Sequence, residues 1–216
     1  MAIRVFLVDD HAIIRDGLRL ILESQADITV VGEASDGRQA VREVRKVCPD
    51  IVIMDIVMPE LNGIDATMQI IETCPSTNVI ILSVLDTAEY ILEALKAGAK
   101  AYILKESAGE EVVKAIRRMQ SGHYYLSQEI SETVIGDYIK QRGYTKEKSP
   151  LKSLSKRERE IMQLVVEGKS STEVSKILFI SSKTVETYKS RIMQKLNIRN
   201  LPGLVRFAIK HGISPL

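Results

Sequence analysis

The stretch "IRVFLVDDHAIIRDGLRLIL" (residues 3–22) decides the fold, because it joins a short apolar strand to a helix through two adjacent aspartates, Asp9 and Asp10. The helical part carries one apolar stripe, formed by Ile14, Leu18, Ile21 and Leu22. Adjacent carboxylates repel each other unless a cation or a hydrogen-bond donor compensates their charge. The stretch therefore predicts a strand followed by a helix, with a positively charged group expected at the turn between them.

The same alternation of short apolar runs and helical patterns continues to about residue 120. It is typical of a parallel sheet built from βαβ units, with helices covering both faces. Turn signals separate the units at residues 36–37, at residues 59–63 and at Gly98. The sequence therefore predicts an α/β domain with a five-stranded parallel sheet, its strands at residues 3–8, 28–34, 50–55, 78–84 and 101–104.

A connecting segment follows this domain. Residues 127–141 form a predicted helix with Ile130, Val134 and Tyr138 on one side, whereas residues 142–153 have almost nothing to bury and are typical of a linker. We expect the first domain at residues 1–121, a linker with a helix at 122–152 and a second domain at 153–216.

The second domain carries four helical patterns. Ser155 with Glu158 opens the first as a capping box, and Ser170 with Glu173 opens the next in the same way. A tight turn then leads to a third helix at 183–198, and a fourth follows at 201–213. Two helices joined by a tight turn form the helix-turn-helix pattern of DNA-binding proteins.

Charge is divided unequally between the two parts of the chain. The 216 residues carry a net charge of +2, but residues 1–150 hold 17 Lys and Arg against 23 Asp and Glu, a net −6. Residues 151–216 hold 13 against 5, a net +8. This asymmetry favours a basic module that meets a polyanion, of which double-stranded DNA is the obvious one.

The two cysteines, Cys48 and Cys74, lack the spacing of a metal site or a redox pair, so we expect buried thiols in a reducing compartment. No apolar run approaches the roughly 20 residues that a membrane span needs. The opening "MAIRVFLVDD" is interrupted by acids before it resembles a signal peptide. We therefore expect a cytoplasmic protein with no membrane partner.

Polar residues stand at successive strand ends of the predicted sheet: Asp9, Asp10, Asp55, Ser83 and Lys105. The carboxyl ends of parallel strands line the functional crevice of such sheets. Clustered carboxylates favour a hard divalent cation such as Mg²⁺, although an isolated Asp-Asp pair is more often a solvated loop. The three histidines, His11, His123 and His211, are too scattered in sequence to argue for a metal.

The motifs "LVDDH" (7–11), "DIVMPELNG" (55–63), "ILSV" (81–84) and "AYILK" (101–105) resemble the receiver domain of two-component response regulators. Together with residues 154–200, which are similar to a LuxR-type helix-turn-helix, they make the chain resemble the NarL/FixJ family. The resemblance implies a flavodoxin-like, doubly wound sheet followed by a small all-α domain of four helices. It also implies a phosphorylation-controlled transcription regulator rather than an enzyme, with a sensor histidine kinase as partner and a homodimer on DNA.

The resemblance assigns a role to each pocket residue. Asp55 is the implied phosphoryl acceptor, and Mg²⁺ is implied at Asp10, Asp55, the backbone carbonyl of Val57 and, partly through water, Asp9. Lys105 neutralises charge on the phosphoryl group and Ser83 donates a hydrogen bond to it. Tyr102 is the implied switch, rotating to fill the space that Ser83 leaves; the alternative is an amphipathic aromatic on an edge strand.

Two departures from the family pattern qualify these assignments. Glu106 stands where many receivers have a proline after the lysine, which leaves open whether the Lys105–Glu106 peptide is cis. Val84 is bulkier than the small residue that many receivers place beside the hydroxyl. We therefore expect slower access to the acyl phosphate and a longer-lived signal.

The third helix of the second domain has two faces. Its apolar stripe consists of Val185, Tyr188, Ile192 and Leu196. The expected DNA contacts are Lys183, Thr184, Glu186, Thr187, Lys189, Ser190, Arg191, Gln194 and Lys195, with the cations meeting phosphates. Glu186 either accepts from cytosine or repels wrong contacts.

A dimer on two half-sites is expected, with Leu204, Val205, Ala208 and Ile209 of the last helix as contacts. The alternative for these four side chains is packing within the domain's own core.

Two rival functions stay open. One is a phosphatase or hydrolase with an aspartyl nucleophile, although Val57 stands where a general acid two residues after Asp55 is needed. The other is a regulator that keeps the pocket as a relic and responds to another ligand or to constitutive dimerisation.

Overall fold

The computed structural model describes residues 2–141 and 150–213, which group into two compact units. The first unit is an α/β domain with a parallel sheet of six strands in the order β2-β1-β3-β4-β5-β6. Its strands are β1 Ile3–Val8, β2 Ile28–Ala34, β3 Ile51–Met54, β4 Asn78–Ser83, β5 Ala101–Leu104 and β6 Tyr125–Leu126. Its helices are α1 Ala12–Glu23, α2 Gly37–Val47, α3 Gly63–Thr73, α4 Ala88–Lys96, α5 Ala108–Gln120 and α6 Gln128–Gln141.

Five of the six strands are the predicted ones, and β1, β2 and β5 have the predicted bounds. All four residues of β3 are buried because β3 is a central strand with helices on both faces of the sheet. The five-stranded prediction is incomplete, since β6 adds a parallel edge strand beside β5. Two residues are too few to show the alternation by which a strand is recognised in sequence.

The helix expected in the linker packs on α4 and belongs to the first unit. Ile130 is fully buried there and Val134 is half-buried, whereas Tyr138 is 58% exposed. The greater part of the predicted linker, residues 142–149, lies outside the described residues. A short 3₁₀ turn, Pro150–Ser153, precedes the second unit's helices.

The second unit contains four helices, as the sequence predicts: α7 Lys156–Val166, α8 Ser171–Leu178, α9 Ser182–Lys195 and α10 Leu201–Lys210. Both predicted capping boxes are present, at Ser155 with Glu158 and at Ser170 with Glu173. The apolar faces of all four helices share one core, to which Ile161, Val174, Val185, Ile192 and Leu204 contribute. No helix in residues 2–141 and 150–213 is long and apolar enough to span a membrane.

The prediction of two free thiols is wrong. Cys48 and Cys74 form a disulfide with a Cα–Cα distance of 5.8 Å. Cys74 is buried as expected, but Cys48 is exposed. The residues are 26 positions apart, and the packing of α2 against α3 brings them together, so their sequence spacing gives no sign of the contact.

Candidate functional site

The predicted acidic residues meet at the carboxyl edge of the sheet, because β1 and β3 are neighbours and each is directly followed by an aspartate. Asp9 and Asp55 are 2% and 3% exposed. Lys105, which follows β5, reaches across and places its Nζ 2.6 Å from Asp55 Oδ2 and 2.8 Å from Asp9 Oδ2. One ammonium group therefore bridges the two buried carboxylates.

Burial and ion pairing act in opposite directions on these groups. Burial raises the pKa of Asp55 to about 6, while the charge and hydrogen bond of Lys105 hold it down. Burial lowers the pKa of Lys105, but the two carboxylates outweigh that effect and leave it above its ordinary value. At neutral pH both groups are charged, so Asp55 presents an ionised carboxylate in a buried site.

His11 also belongs to this cluster. The acids were predicted from the sequence, but the place of His11 beside them was not. Its Nδ1 lies 2.7 Å from Asp10 Oδ1, and its backbone N–H donates to Asp9 Oδ1 at 2.9 Å. The signal was present in the motif "LVDDH", where His11 follows the two acids directly. Its distance in sequence from the other histidines had no bearing on the site.

The cluster of Asp9, Asp10, His11 and Asp55 offers ligand atoms that all lie within 4.8 Å of one another. Opposite ligands of an octahedral Mg²⁺ stand about 4.2 Å apart. Asp9 Oδ2 and Asp10 Oδ1 are buried in this cluster, with Lys105 Nζ at 2.8 Å from the first and His11 Nδ1 at 2.7 Å from the second. A hard divalent cation fits these oxygen donors.

Backbone amides of the residues after Asp55 hold its side chain by hydrogen bonds. The amides of Ile56 and Val57 donate to its Oδ1 at 2.7 and 3.4 Å. Helix α3 begins close by, where Asn62 accepts a hydrogen bond from the Asp65 amide. Its first residue is glycine of necessity, because a Cβ on Gly63 would lie 1.8 Å from the backbone oxygen of Asp55. In the sequence, residues 59–63 indicate a turn and belong to the motif "DIVMPELNG", but they give no sign of this close approach.

Ser83 is the last residue of β4 and Tyr102 lies within the neighbouring strand β5, and both are fully buried. Ser83 Oγ accepts a hydrogen bond from the Leu85 amide at 3.2 Å, and the Tyr102 hydroxyl donates to the Leu85 carbonyl at 2.6 Å. Burial raises the pKa of Tyr102 above its ordinary value. The ring is thus directed inward, and β6 covers the edge of β5 that the alternative interpretation left open.

The two departures from the family pattern have definite positions. The Lys105–Glu106 peptide is trans, as are all peptides in the described residues. Val84 follows the buried Ser83 but is itself 67% exposed. A bulky apolar side chain therefore stands in solvent directly after the pocket hydroxyl.

Helix α9 presents the two predicted faces. Val185 and Ile192 are fully buried, and Tyr188 and Leu196 pack against the same core. The opposite face contains two half-buried side chains, Thr184 and Lys189. Its other side chains are exposed: Lys183, Glu186, Thr187, Ser190, Arg191, Gln194 and Lys195. This face offers hydroxyl, amide, carboxylate and cationic groups to a partner.

The cations among the predicted DNA-contacting residues differ in whether they form ion pairs within the domain. Lys195 lies 2.7 Å from Glu158, and Lys189 lies 3.1 Å from Glu186, which also accepts from Ser171. Lys183 and Arg191 form no ion pair within residues 2–141 and 150–213. Lys183 and Arg191 can therefore bind a phosphate without first breaking an ion pair of this kind.

The residues predicted to form the dimer contact are divided by their burial. Leu204 and Ala208 are 1% and 0% exposed, because they pack in the core of the second unit. Val205 and Ile209 are half-buried. Of the four predicted dimer residues, only Val205 and Ile209 are therefore accessible to a second copy, and the exposed Leu201 lies one helical turn before Val205.

Two family profiles match the chain. Residues 5–117 match the response regulator receiver domain, and residues 152–208 match the bacterial regulatory proteins of the luxR family. The oxygen regulatory protein NreC of Staphylococcus carnosus is 38% identical over 210 residues, covering 96% of this chain and 97% of NreC. The uncharacterized transcriptional regulatory protein YhcZ of Bacillus subtilis is 39% identical over 98% of this chain and 97% of its own length.

A solved structure of the two-component response regulator RcsB in complex with DNA is similar with a TM-score of 0.60 and 27% identity, covering 96% of this chain and 98% of RcsB. The matches cover both units, the acidic pocket and the helix-turn-helix. The chain therefore belongs to the two-component response regulators that carry a receiver domain followed by a LuxR-type helix-turn-helix, and it is a DNA-binding transcription regulator rather than an enzyme.

Proposed function

We propose that this regulator is switched by phosphorylation of Asp55, with a sensor histidine kinase or a small phosphodonor as the source of the phosphoryl group. The observation that carries the proposal is the pair of short contacts from Lys105 Nζ to Asp55 and Asp9 in a buried pocket. A lysine in this position compensates negative charge that is already present and charge that a phosphoryl group adds.

The chemistry asks little of the protein beyond position and charge. Asp55 needs no general base, because its carboxylate is ionised at neutral pH. Lys105 meets the oxygens of the incoming group, and Ser83 turns from the Leu85 amide to donate to another of them. Positioning and electrostatic stabilisation account for most catalysis of phosphoryl transfer.

Asp9, Asp10, Asp55 and the carbonyl of Val57 would hold Mg²⁺. When bound, the ion neutralises charge on the transferring phosphoryl group. His11 orients the acids, since its side chain lies against Asp10 and its amide against Asp9.

Phosphorylation would then bias the molecule towards a DNA-bound dimer. The new group adds about −1.5 to −2 charges and draws Ser83 inward, and the buried Tyr102 keeps the space behind it filled. We propose that the acidic receiver restrains the basic helix-turn-helix until this shift occurs, and that two copies then meet through α10 on paired half-sites. The site of action is the cytoplasm, where chromosomal DNA lies.

Intact mass spectrometry tests the acceptor directly. Wild type and Asp55→Asn are incubated with acetyl phosphate, each with Mg²⁺ and with a chelator. We expect one phosphoryl group on wild type in Mg²⁺ only, and none on Asp55→Asn. A labelled Asp55→Asn protein would refute the assignment, and an unlabelled wild type that still binds DNA would favour a relic pocket with another trigger.

A further inference from the structure

The disulfide between Cys48 and Cys74 joins the carboxyl ends of two neighbouring helices. Cys48 directly follows α2 and Cys74 directly follows α3. Cys48 is exposed, whereas Cys74 is only 2% exposed. One sulfur of the bond is therefore open to an attacking thiol and the other is shielded.

The surroundings suit the reduced state as well as the bonded one. Cys74 Sγ lies 3.8 Å from the carbonyl oxygen of Val44, and Cys48 Sγ lies 3.9 Å from that of Arg45. On reduction the two sulfurs must move apart, and each S–H then has a backbone carbonyl oxygen nearby that can accept a hydrogen bond. The Arg4 guanidinium donates to the Cys48 backbone carbonyl at 3.2 Å and so holds the backbone of the exposed cysteine.

The disulfide closes a loop that contains part of the pocket. Residues 48–74 contain β3, the acceptor Asp55 and the whole of α3. Closing a loop of 26 residues restricts the unfolded chain and stabilises the folded unit. Cys48 lies before β3 and Asp55 lies after it, so the bond is at the other end of that strand from the pocket.

We propose that Cys48 and Cys74 are a reversible thiol–disulfide modification site whose reaction partners are low-molecular-weight disulfides and dithiols. In the interior of a cell, where a DNA-binding regulator acts, disulfides are usually transient or redox-sensing. The site is separate from Asp55 and does not depend on its phosphorylation.

Exchange with a small disulfide balances in two steps. The Cys48 thiolate attacks one sulfur of glutathione disulfide, forms a mixed disulfide and releases one glutathione thiolate. The Cys74 thiolate then attacks the Cys48 sulfur and releases the second glutathione, and both thiol protons end on the glutathione molecules. A dithiol reverses the sequence, becoming oxidised as the two protein thiols re-form.

The order of attack gives each cysteine variant a different product. Fully reduced wild type, Cys48→Ser and Cys74→Ser are incubated with glutathione disulfide as the full chain, and their intact masses are measured. We expect wild type to lose both thiols without an adduct, Cys74→Ser to gain one glutathione and Cys48→Ser to stay unmodified. Wild type that keeps two thiols, or equal adducts on both variants, would overturn the proposal.

Thermal unfolding of oxidised and reduced wild type gives a second measurement, with Cys48→Ser as the control. We expect the oxidised protein to unfold about 10 °C above the reduced one, and Cys48→Ser to show no such difference. Labelling by acetyl phosphate should proceed in both states. An equal Tm for oxidised and reduced wild type would contradict the stabilising role of the bond.

Discussion

At the scale of single residues, Asp55 combines reactivity with a cost in stability. Its carboxylate is 3% exposed, and burial raises its pKa from 3.8 to about 6. The folded protein therefore holds this proton more tightly than the unfolded chain does. The free energy of unfolding falls as pH rises from about 4 to about 6, and the full cost is present at neutral pH.

Removing this charge should stabilise the receiver. We expect Asp55→Asn to raise the free energy of unfolding by about 2–3 kcal/mol at pH 7.5 in a chelator, because about two pKa units of unfavourable burial are relieved. Lys105 keeps Asp9 as its partner. Urea unfolding at pH 7.5 and pH 4 measures the effect, which should shrink at the lower pH. A variant less stable than wild type at pH 7.5 would contradict the electrostatic account.

Val84 is expected to control the lifetime of the phosphorylated state. Its side chain is 67% exposed and directly follows Ser83, and we expect its bulk to slow the access of water to the acyl phosphate. Val84→Ala should lose its phosphoryl group several-fold faster than wild type, on the order of 1 kcal/mol in the barrier. The decay of the phosphorylated mass after removal of acetyl phosphate measures this rate, and an unchanged rate in the variant would count against the role of Val84.

At the scale of elements, the start of α3 determines where Asp55 sits. Gly63→Ala would place a methyl group against the Asp55 backbone oxygen, so the start of α3 and the backbone at Asp55 must move apart. We expect a loss of about 2–4 kcal/mol in stability and slower labelling by acetyl phosphate. Gly17→Ala in α1 is the matched control, because its new Cβ meets nothing within 4 Å. Equal behaviour of the two variants in unfolding and labelling would show that the close approach is not needed.

Two variants in helix α9 should affect different properties, one the affinity for DNA and the other the stability of the domain. Arg191→Ala removes an exposed cation with no ion pair in the described residues, so DNA affinity should fall for all sequences and the salt slope by about 1. Lys195→Met breaks the contact with buried Glu158, so it should cost about 1–2 kcal/mol of domain stability.

DNA titrations at several salt concentrations and urea unfolding measure these two quantities on each variant. The reverse assignment, with Arg191 mattering to stability and Lys195 only to DNA, would contradict the described geometry.

The elements were predictable from sequence wherever one physical signal dominates. β1 and β5 have the predicted bounds because apolar β-branched runs end at charged residues, and α7 and α8 begin at their capping boxes. The pocket acids were predictable because strand ends share an edge. The disulfide and the close approach of Gly63 were not predictable, since each depends on elements brought together by tertiary packing. For Leu204 the sequence left core packing and a dimer contact as alternatives, and the structure shows core packing.

At the scale of the whole molecule, one chain joins an acidic receiver to a basic reader of DNA. Residues 1–150 carry a net −6 and residues 151–216 a net +8, so a phosphoryl group adds negative charge to the part that is already negative. Phosphorylation can shift the molecule only by the difference in free energy that it makes between the restrained and the DNA-bound arrangements.

The central claim is that phosphorylation of Asp55 controls DNA binding. The DNA affinity of the protein before and after phosphorylation tests it most directly. Wild type and Asp55→Asn are treated with acetyl phosphate and Mg²⁺, and their binding to a duplex with two half-sites is titrated at fixed salt. We predict that wild type binds about tenfold more tightly after treatment, which is about 1.4 kcal/mol, as a dimer, while Asp55→Asn is unchanged. Equal affinity of phosphorylated and unphosphorylated wild type would contradict control of DNA binding by Asp55.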